Sequence, residues 1–432
     1  MLHARPQKYI AMARTALLED HLTWTASQRS GEPNFVYLTT WAGLANRLIA
    51  LLSAFVLSIL TKRVLVLDED AFPEPLLAPP VAWDVASWPQ FAALRATQEA
   101  SVAGGAWMTT DTVGWLTIDT ERTPFSPTLQ RLGCSNLSAE ALPQRVLHFH
   151  SIAQYLVPLL LLNPGADELR HALGPSPVAR LAKYVLRPSP AFEAAVRAHP
   201  SVALLPRPIL GVQLRMHNNW VRKGTPRLRE SARTCAVAMV RAHGAAAAHL
   251  ASDDLGARDE LAAWLRPVFT TASGGTGTGT GTDGGADGGA DGGADGGSSR
   301  LRVGSLDVDG DTLRAENMSS GWLELLLLAR CDGGLLTTGG SSFGYVARAL
   351  SGAPLRHQRV LTRWEELEKR GAPFALADDC PVVRTREPCL MHAWRDDWQL
   401  AQLPCWDASR FTPQVARHLL DPLGPESHCF RR

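Results

Sequence analysis

The stretch from Asn34 to Asp70 constrains the fold more than any other. "NFVYLTT" (Asn34–Thr40) alternates β-branched and aromatic residues and predicts a short strand. After a turn at Trp41-Ala42-Gly43, "LANRLIALLSAFVLSIL" is built of good helix formers and is apolar all round. That predicts a helix buried on most of its surface. "KRVLVLDED" (Lys62–Asp70) is next, with an unbroken apolar run from Val64 to Leu67 and acids at its end; it reads as a parallel strand covered on both faces. Strand, helix and strand in about 35 residues make one βαβ unit. The apolar run from Leu48 to Leu60, interrupted only by Ser53 and Ser58, is shorter than the about 20 residues a membrane span requires, so it belongs to a core. Open α/β sheets bind ligands at the carboxyl ends of their strands. Residues 39–47 and 68–70 therefore share one edge, with Gly43 permitting the turn and Asn46 and Arg47 on its lip.

A second α/β region begins near Ile209. "PILGVQLRM", "AAAAHLASDD", "LRVGSLDV" and "GGLLTTGG" read as strands. "ESARTCAVAMVRAHG", "ARDELAAWLRPVF", "GWLELLLLARC" and "SSFGYVARALSG" read as the helices between and after them. The repeat "GGTGTGTGTDGGADGGADGGADGGSS" (residues 274–299) has almost no side chains to pack and predicts a disordered surface insertion. Its Asp spacing is not the nonapeptide kind that builds a calcium β-roll. "QKYIAMARTALLEDHLTW" (Gln7–Trp24) predicts an amphipathic helix. The expected division is a helical segment over 1–33, a first α/β domain over 34–205, a second over 206–375 and a Cys-containing extension over 376–432.

The 43 Lys and Arg balance the 42 Asp and Glu, which excludes nucleic-acid binding by bulk charge, so any anion site is local. Of the seven Cys, four (Cys380, Cys389, Cys405 and Cys429) lie in the last part of the chain, without the C-x-x-C pair of a zinc site. Disulfides in an oxidising compartment are the expectation, free thiols in a loop-rich tail the alternative. The sequons Asn136-Leu-Ser138 and Asn317-Met-Ser319 point the same way. No signal peptide or membrane anchor is visible in the sequence, which runs against the Cys and sequon pattern.

Two places carry chemistry. In "LLTTGGSSFGYVARAL" (Leu335–Leu350) a strand runs through small hydroxylated residues into a helix; its exposed N–H groups form either an anion site or a plain N-cap. It has neither the Lys of a P-loop nor the spacing of a dinucleotide fingerprint. In "GVQLRMHNNWVRKG" (Gly211–Gly224) Arg215 ends a buried strand and requires an anion, either a diphosphate or a structural carboxylate. His217, Arg222 and Lys223 are candidate helpers. Asp253 and Asp254 end another strand, as ligands of a ribose or base or as solvated acids. His148 and His150 alternate on one strand face, where packing or an acceptor contact is favoured over a metal.

Several segments together resemble the plant xyloglucan α-1,2-fucosyltransferase family. They are "GLANRLIALLSAFVLSILTKRVLVLD", "AQYLVPLLLLNPGADEL", "VARLAKYVLRPSPAF", "GVQLRM", "MSSGWLELLLLARCDGGLLTTGGSSFGYVARALSG", and "EPCLMHAW" followed by "PCWD". The first and the long "SSFGYVA" block are specific; the others support them, from about Asn34 to Trp406. The resemblance implies a GT-B fold of two Rossmann-like domains facing a cleft, and a Golgi location in the lumen or at its membrane. It implies inverting, metal-independent transfer of fucose from GDP-fucose, with no further cofactor, to a galactoside of a cell-wall or glycoprotein glycan. By the family's motif positions, Arg215 would hold the diphosphate. Ser341, Ser342 and Phe343, with Gly344 and Tyr345 beside them, would complete the phosphate site, and Gly43, Asn46 and Arg47 would line the cleft. The chain departs from the family after the acidic strand, where Glu74 and Pro75 remain without the usual Cys, and after Arg215. It departs also at Gly340-Ser341-Ser342, where the family has Trp-Ser-Thr, and these changes bear on the acceptor more than on the donor fold. A homodimer is compatible with the sequence, and no residue stands out as a general base. Another GDP-sugar, such as GDP-L-galactose, or a non-catalytic glycan-binding role remain the alternatives.

Overall fold

The structure is a computed structural model that describes residues 7–72, 76–78, 82–101, 114–119, 132–137, 142–151, 155–216, 225–271, 303–305, 318–361, 380–383, 385–388, 405, 407 and 409. The stretch 274–299 lies outside these residues, as do Glu74, Pro75, Ser138, His217, Arg222, Lys223, Asn317, Cys389 and Cys429.

Two parallel sheets organise the chain. The first contains β1 (Phe35–Thr39), β2 (Val64–Leu67), β3 (Trp115–Asp119) and β4 (Val146–His150), in the order β2-β1-β4-β3. Phe35 is in register with Val64 on one side and Val146 on the other. Every residue of β1 is buried because both faces of the sheet are covered, which is why the strand reads as an unbroken apolar run. Phe35 and Tyr37 point to a cluster with Trp88, Phe91 and Trp115; Val36 and Leu38 point to the opposite face and the main core.

The helix Leu44–Thr61 runs from the carboxyl end of β1 back to the start of β2. By length and composition it could cross a membrane, but 83% of it is buried inside the protein, so its apolarity serves packing. It ends at Lys62, a left-handed residue (φ 48°) whose N–H turns back to the Ile59 carbonyl. The neighbouring buried Arg63 finds no acid among the described residues and instead donates to the carbonyls of Gln144 and Leu142.

The second sheet contains β5 (Ile209–Leu214), β6 (Ala247–Ser252), β7 (Val303–Ser305), β8 (Gly334–Thr338) and β9 (Gln358–Leu361), in the order β7-β6-β5-β8-β9. The strand pattern of the sequence did not reveal β9. The expected boundary at 205/206 falls in the connection just before β5. That connection is anchored where Ser201 Oγ lies 3.0 Å from His249 Nδ1, while His249 Nε2 lies 2.9 Å from Glu324 in a buried trio.

The sheets are separate but the core is shared. Leu48 and Phe55 of the first lobe belong to one apolar cluster with Trp322, Leu325 and Val346 of the second. Trp322 Nε1 donates to the Leu76 carbonyl at 2.9 Å across the seam. The extension after residue 376 is tied back rather than free-standing. Disulfides join Cys134 to Cys405 and Cys235 to Cys380, while Cys331 is a buried free thiol. Glu387 accepts from the Tyr155 hydroxyl at 2.6 Å and the Val178 amide at 3.0 Å.

Candidate active site

From β5 the chain builds outward through β6 to β7; from β8 it builds the other way, to β9. The strand order therefore reverses between β5 and β8, where an open α/β sheet leaves a crevice at its carboxyl edge. Arg215 follows β5 and the Gly339–Ser341 turn follows β8. Thr338 fastens the two together: its Oγ1 accepts from the Arg215 amide at 2.9 Å and donates to the Gln213 carbonyl at 3.2 Å.

The Arg215 side chain takes the structural carboxylate, one of the two partners that sequence reasoning set against each other. Its Nε meets Asp253 Oδ2 at 3.1 Å, and Asp253 is 3% exposed while the Arg215 side chain is 45% exposed. Asp253 Oδ1 also accepts from the Met216 amide. Held through Nε, the guanidinium has no hydrogen bond from Nη1 or Nη2 among the described residues, which leaves a two-pronged donor of the kind that matches phosphate or carboxylate oxygens. Asp253 is thus buried and bonded to Arg215 and the Met216 amide, not a solvated acid. Asp254 is occupied too. Its Oδ1 caps the helix Leu255–Thr271 at the Ala257 amide (2.9 Å) and its Oδ2 meets Arg229 Nη2 at 3.3 Å.

The second half of the crevice is the start of the helix Ser342–Leu350. Gly340 turns the chain at φ 75°, and Ser341 is the N-cap, its Oγ accepting from the Gly344 amide at 3.4 Å. Ser341 therefore answers the N-cap reading, while the Ser342 and Phe343 amides keep no partner among the described residues and point out at the positive end of the helix. A Cβ at Gly344 would meet Thr337 Cβ at 2.9 Å and Gln213 Oε1 at 3.0 Å, so glycine lets the helix start sit directly on β5 and β8. Tyr345 is buried, with the Arg348 guanidinium 4.8 Å from its ring centroid, and faces the core rather than the crevice.

In the first lobe the reversal lies between β1 and β4, and the edge there carries Gly43, Asn46 and His150. Gly43 is not required by its backbone: φ is −60° and a Cβ would meet nothing within 4 Å. Asn46 Oδ1 is buried with no hydrogen-bond partner among the described residues. Arg47 does not present its charge to the cleft. It is 4% exposed, with Nε on the Ala42 carbonyl and Nη1 on those of Asp70 and Ala71, pinning the loop after β2 to the helix start. Burial draws its pKa down, with Asp70 and Asp68 opposing. His148 Nε2 and His150 Nδ1 each lie 2.8 Å from Thr39 Oγ1, so a hydroxyl ties the two rings together across β1 and β4.

Comparison with known proteins bears on this arrangement. The family described as xyloglucan fucosyltransferase matches residues 2–98, which include β1, the Leu44–Thr61 helix and β2. Over those residues the chain is similar to the xyloglucan fucosyltransferase family. Among solved structures it is similar to a substituted Arabidopsis thaliana FUT1 in complex with GDP, at 18% identity and a TM-score of 0.54, covering 86% of this chain and 79% of that one. At such identity the likeness establishes a common fold, the GT-B arrangement. More distant are the fucosyltransferase NodZ from Bradyrhizobium (15% identity, TM-score 0.40, 76% of this chain and 94% of that one) and POFUT1 in complex with GDP (15%, 0.37, 76% and 97%). No curated protein sequence matched the chain.

Proposed function

We propose that this xyloglucan fucosyltransferase relative moves fucose from GDP-fucose to a galactoside hydroxyl of a cell-wall or glycoprotein glycan, with inversion and without a metal ion. The observation that carries the reading is the Arg215 fork, aimed by Asp253 and set beside the free Ser342 and Phe343 amides where β5 and β8 part.

The acceptor oxygen forms a bond to the anomeric carbon on the face away from the diphosphate. The carbon–oxygen bond to the β-phosphate breaks and its electron pair leaves with GDP. The charge that develops on the diphosphate is met by the guanidinium and the two amides, preorganised positive groups that take the part a divalent ion plays elsewhere. The acceptor proton passes to water late in the step. Asn46, at the carboxyl edge of the first sheet, would line the acceptor side of the cleft. Disulfides that join the C-terminal extension to both lobes support an oxidising, secretory setting, and we place the protein in the Golgi.

The test is Arg215→Lys, which keeps the charge and removes the fork. GDP binding is expected to weaken by about 1.5–3 kcal/mol, roughly 10- to 100-fold, with transfer falling at least as far. Turnover at the parent rate would remove the donor-site assignment.

A further inference from the structure

The helices Thr225–His243 and Leu255–Thr271 follow β5 and β6, and both start at the carboxyl edge that carries Arg215. Between the first three turns of the two helices lies a groove of about 540 Å³ that reaches Leu214, the residue before Arg215, at one end. Trp264 stands in it 47% exposed, although the Arg233 guanidinium sits 3.9 Å from its ring centroid. The described residues hold one other exposed tryptophan, Trp41, which lies at the carboxyl edge of the first sheet.

The charges of the groove cancel. Arg229 and Arg233 face Glu230 and Glu260, and Arg229 Nη1 meets Glu260 at 2.8 Å. A phosphate or other polyanion would find no net field there. What the groove offers is an indole edge and face surrounded by planar donors and acceptors, which suits a neutral polyhydroxylated molecule with apolar C–H faces. Its volume falls within the roughly 300–1,000 Å³ of small-ligand sites. It is also joined to the donor anchor, since Arg229 bonds Asp254 while the adjacent Asp253 holds Arg215.

We propose that this groove binds the acceptor glycan beyond the sugar that receives fucose. A pyranose stacks on Trp264 and its hydroxyls bond to Glu230 and to the Arg229–Glu260 pair. The proposal rests on the transfer reading above, and the experiment separates the two. The full chain is given GDP-fucose and galactose-bearing oligosaccharides from the disaccharide upward. KM is expected to fall as the acceptor lengthens. Trp264→Ala should raise KM for the longer acceptors about five- to tenfold, as loss of one aromatic contact does. The disaccharide KM, kcat and GDP affinity should stay at parent values, and Trp264→Phe should recover most of the loss. Calorimetry of a longer oligosaccharide with the GDP-loaded protein reads the groove without turnover. Binding that vanishes in Trp264→Ala supports the groove even if no fucose moves, which would overturn the transfer reading alone. A KM independent of acceptor length overturns the groove as an acceptor site, as does a Trp264→Ala loss that falls on GDP affinity.

Discussion

Arg215 and Arg348 show two ways of handling a cation near the same helix. Asp253 holds the Nε of Arg215 and leaves the fork open. Asp253→Asn should therefore lower GDP affinity roughly tenfold, by an order of 1 kcal/mol, without touching the ligand itself. Calorimetric titration with GDP checks this, and parent-like affinity would deny Asp253 its positioning role. Arg348 has no acid partner among the described residues. It is 2% exposed, its Nε and Nη1 have no hydrogen bond among those residues, and burial pulls its pKa down to about 10, so it is still charged at neutral pH. Arg348→Met, of similar volume, is expected to stabilise the fold by about 1–4 kcal/mol in denaturant unfolding. A loss of stability instead would show that the guanidinium is paired in solution. Neither situation could be read from the chain. The sequence marks where a charge falls along a strand or helix, but the neighbour across the sheet is set by strand order.

The phosphate site proposed at the Ser342–Leu350 helix depends on how its first turn is seated. "GGSSFG" already displays a glycine turn, an N-cap hydroxyl and a helix start, so this element was legible from local chemistry. The need for glycine at position 344 was not, because it comes from Thr337 and Gln213 on two different strands. Gly344→Ala should push the helix start away from β5 and β8, costing about 1–3 kcal/mol, and should weaken GDP binding as the free amides shift. Thermal unfolding and GDP titration on the same variant measure both, and an unshifted GDP affinity would mean that the amides do not touch the diphosphate. The Leu44–Thr61 helix gives the complementary case. Its burial was evident from an apolar surface with no polar stripe. The inward turn of Arg47 was not, because the carbonyls it bonds belong to the loop after β2.

At the scale of the whole molecule, the C-terminal extension holds the lobes as a strap. Glu387 lies fully buried among first-lobe residues, and burial pushes its carboxyl up to about 7 from 4.5, against the pull of the Tyr155 hydroxyl and the Val178 amide. The folded chain keeps this proton up to about pH 7 while the unfolded chain releases it near 4.5. Below 4.5 the site carries no penalty; stability is lost as pH rises from there through 7, and then levels. Glu387→Gln should flatten that part of the profile of melting temperature against pH. An unchanged slope between pH 5 and 7, read by calorimetry, would assign it to other groups.

By itself the sequence determined two βαβ-built regions, a glycine turn running into a helix start, an arginine at a strand end that requires an anionic partner, and the expectation of disulfides that involve the tail. These follow from period, propensity and the cost of burying charge, all local to a short window of chain. Only the tertiary structure decided that β5 and β8 lie side by side, that Asp253 aims Arg215, that Arg47 faces inward and that one core runs through both lobes. Those depend on contacts between residues far apart in sequence, and pairing at a distance leaves no mark on the composition of either partner.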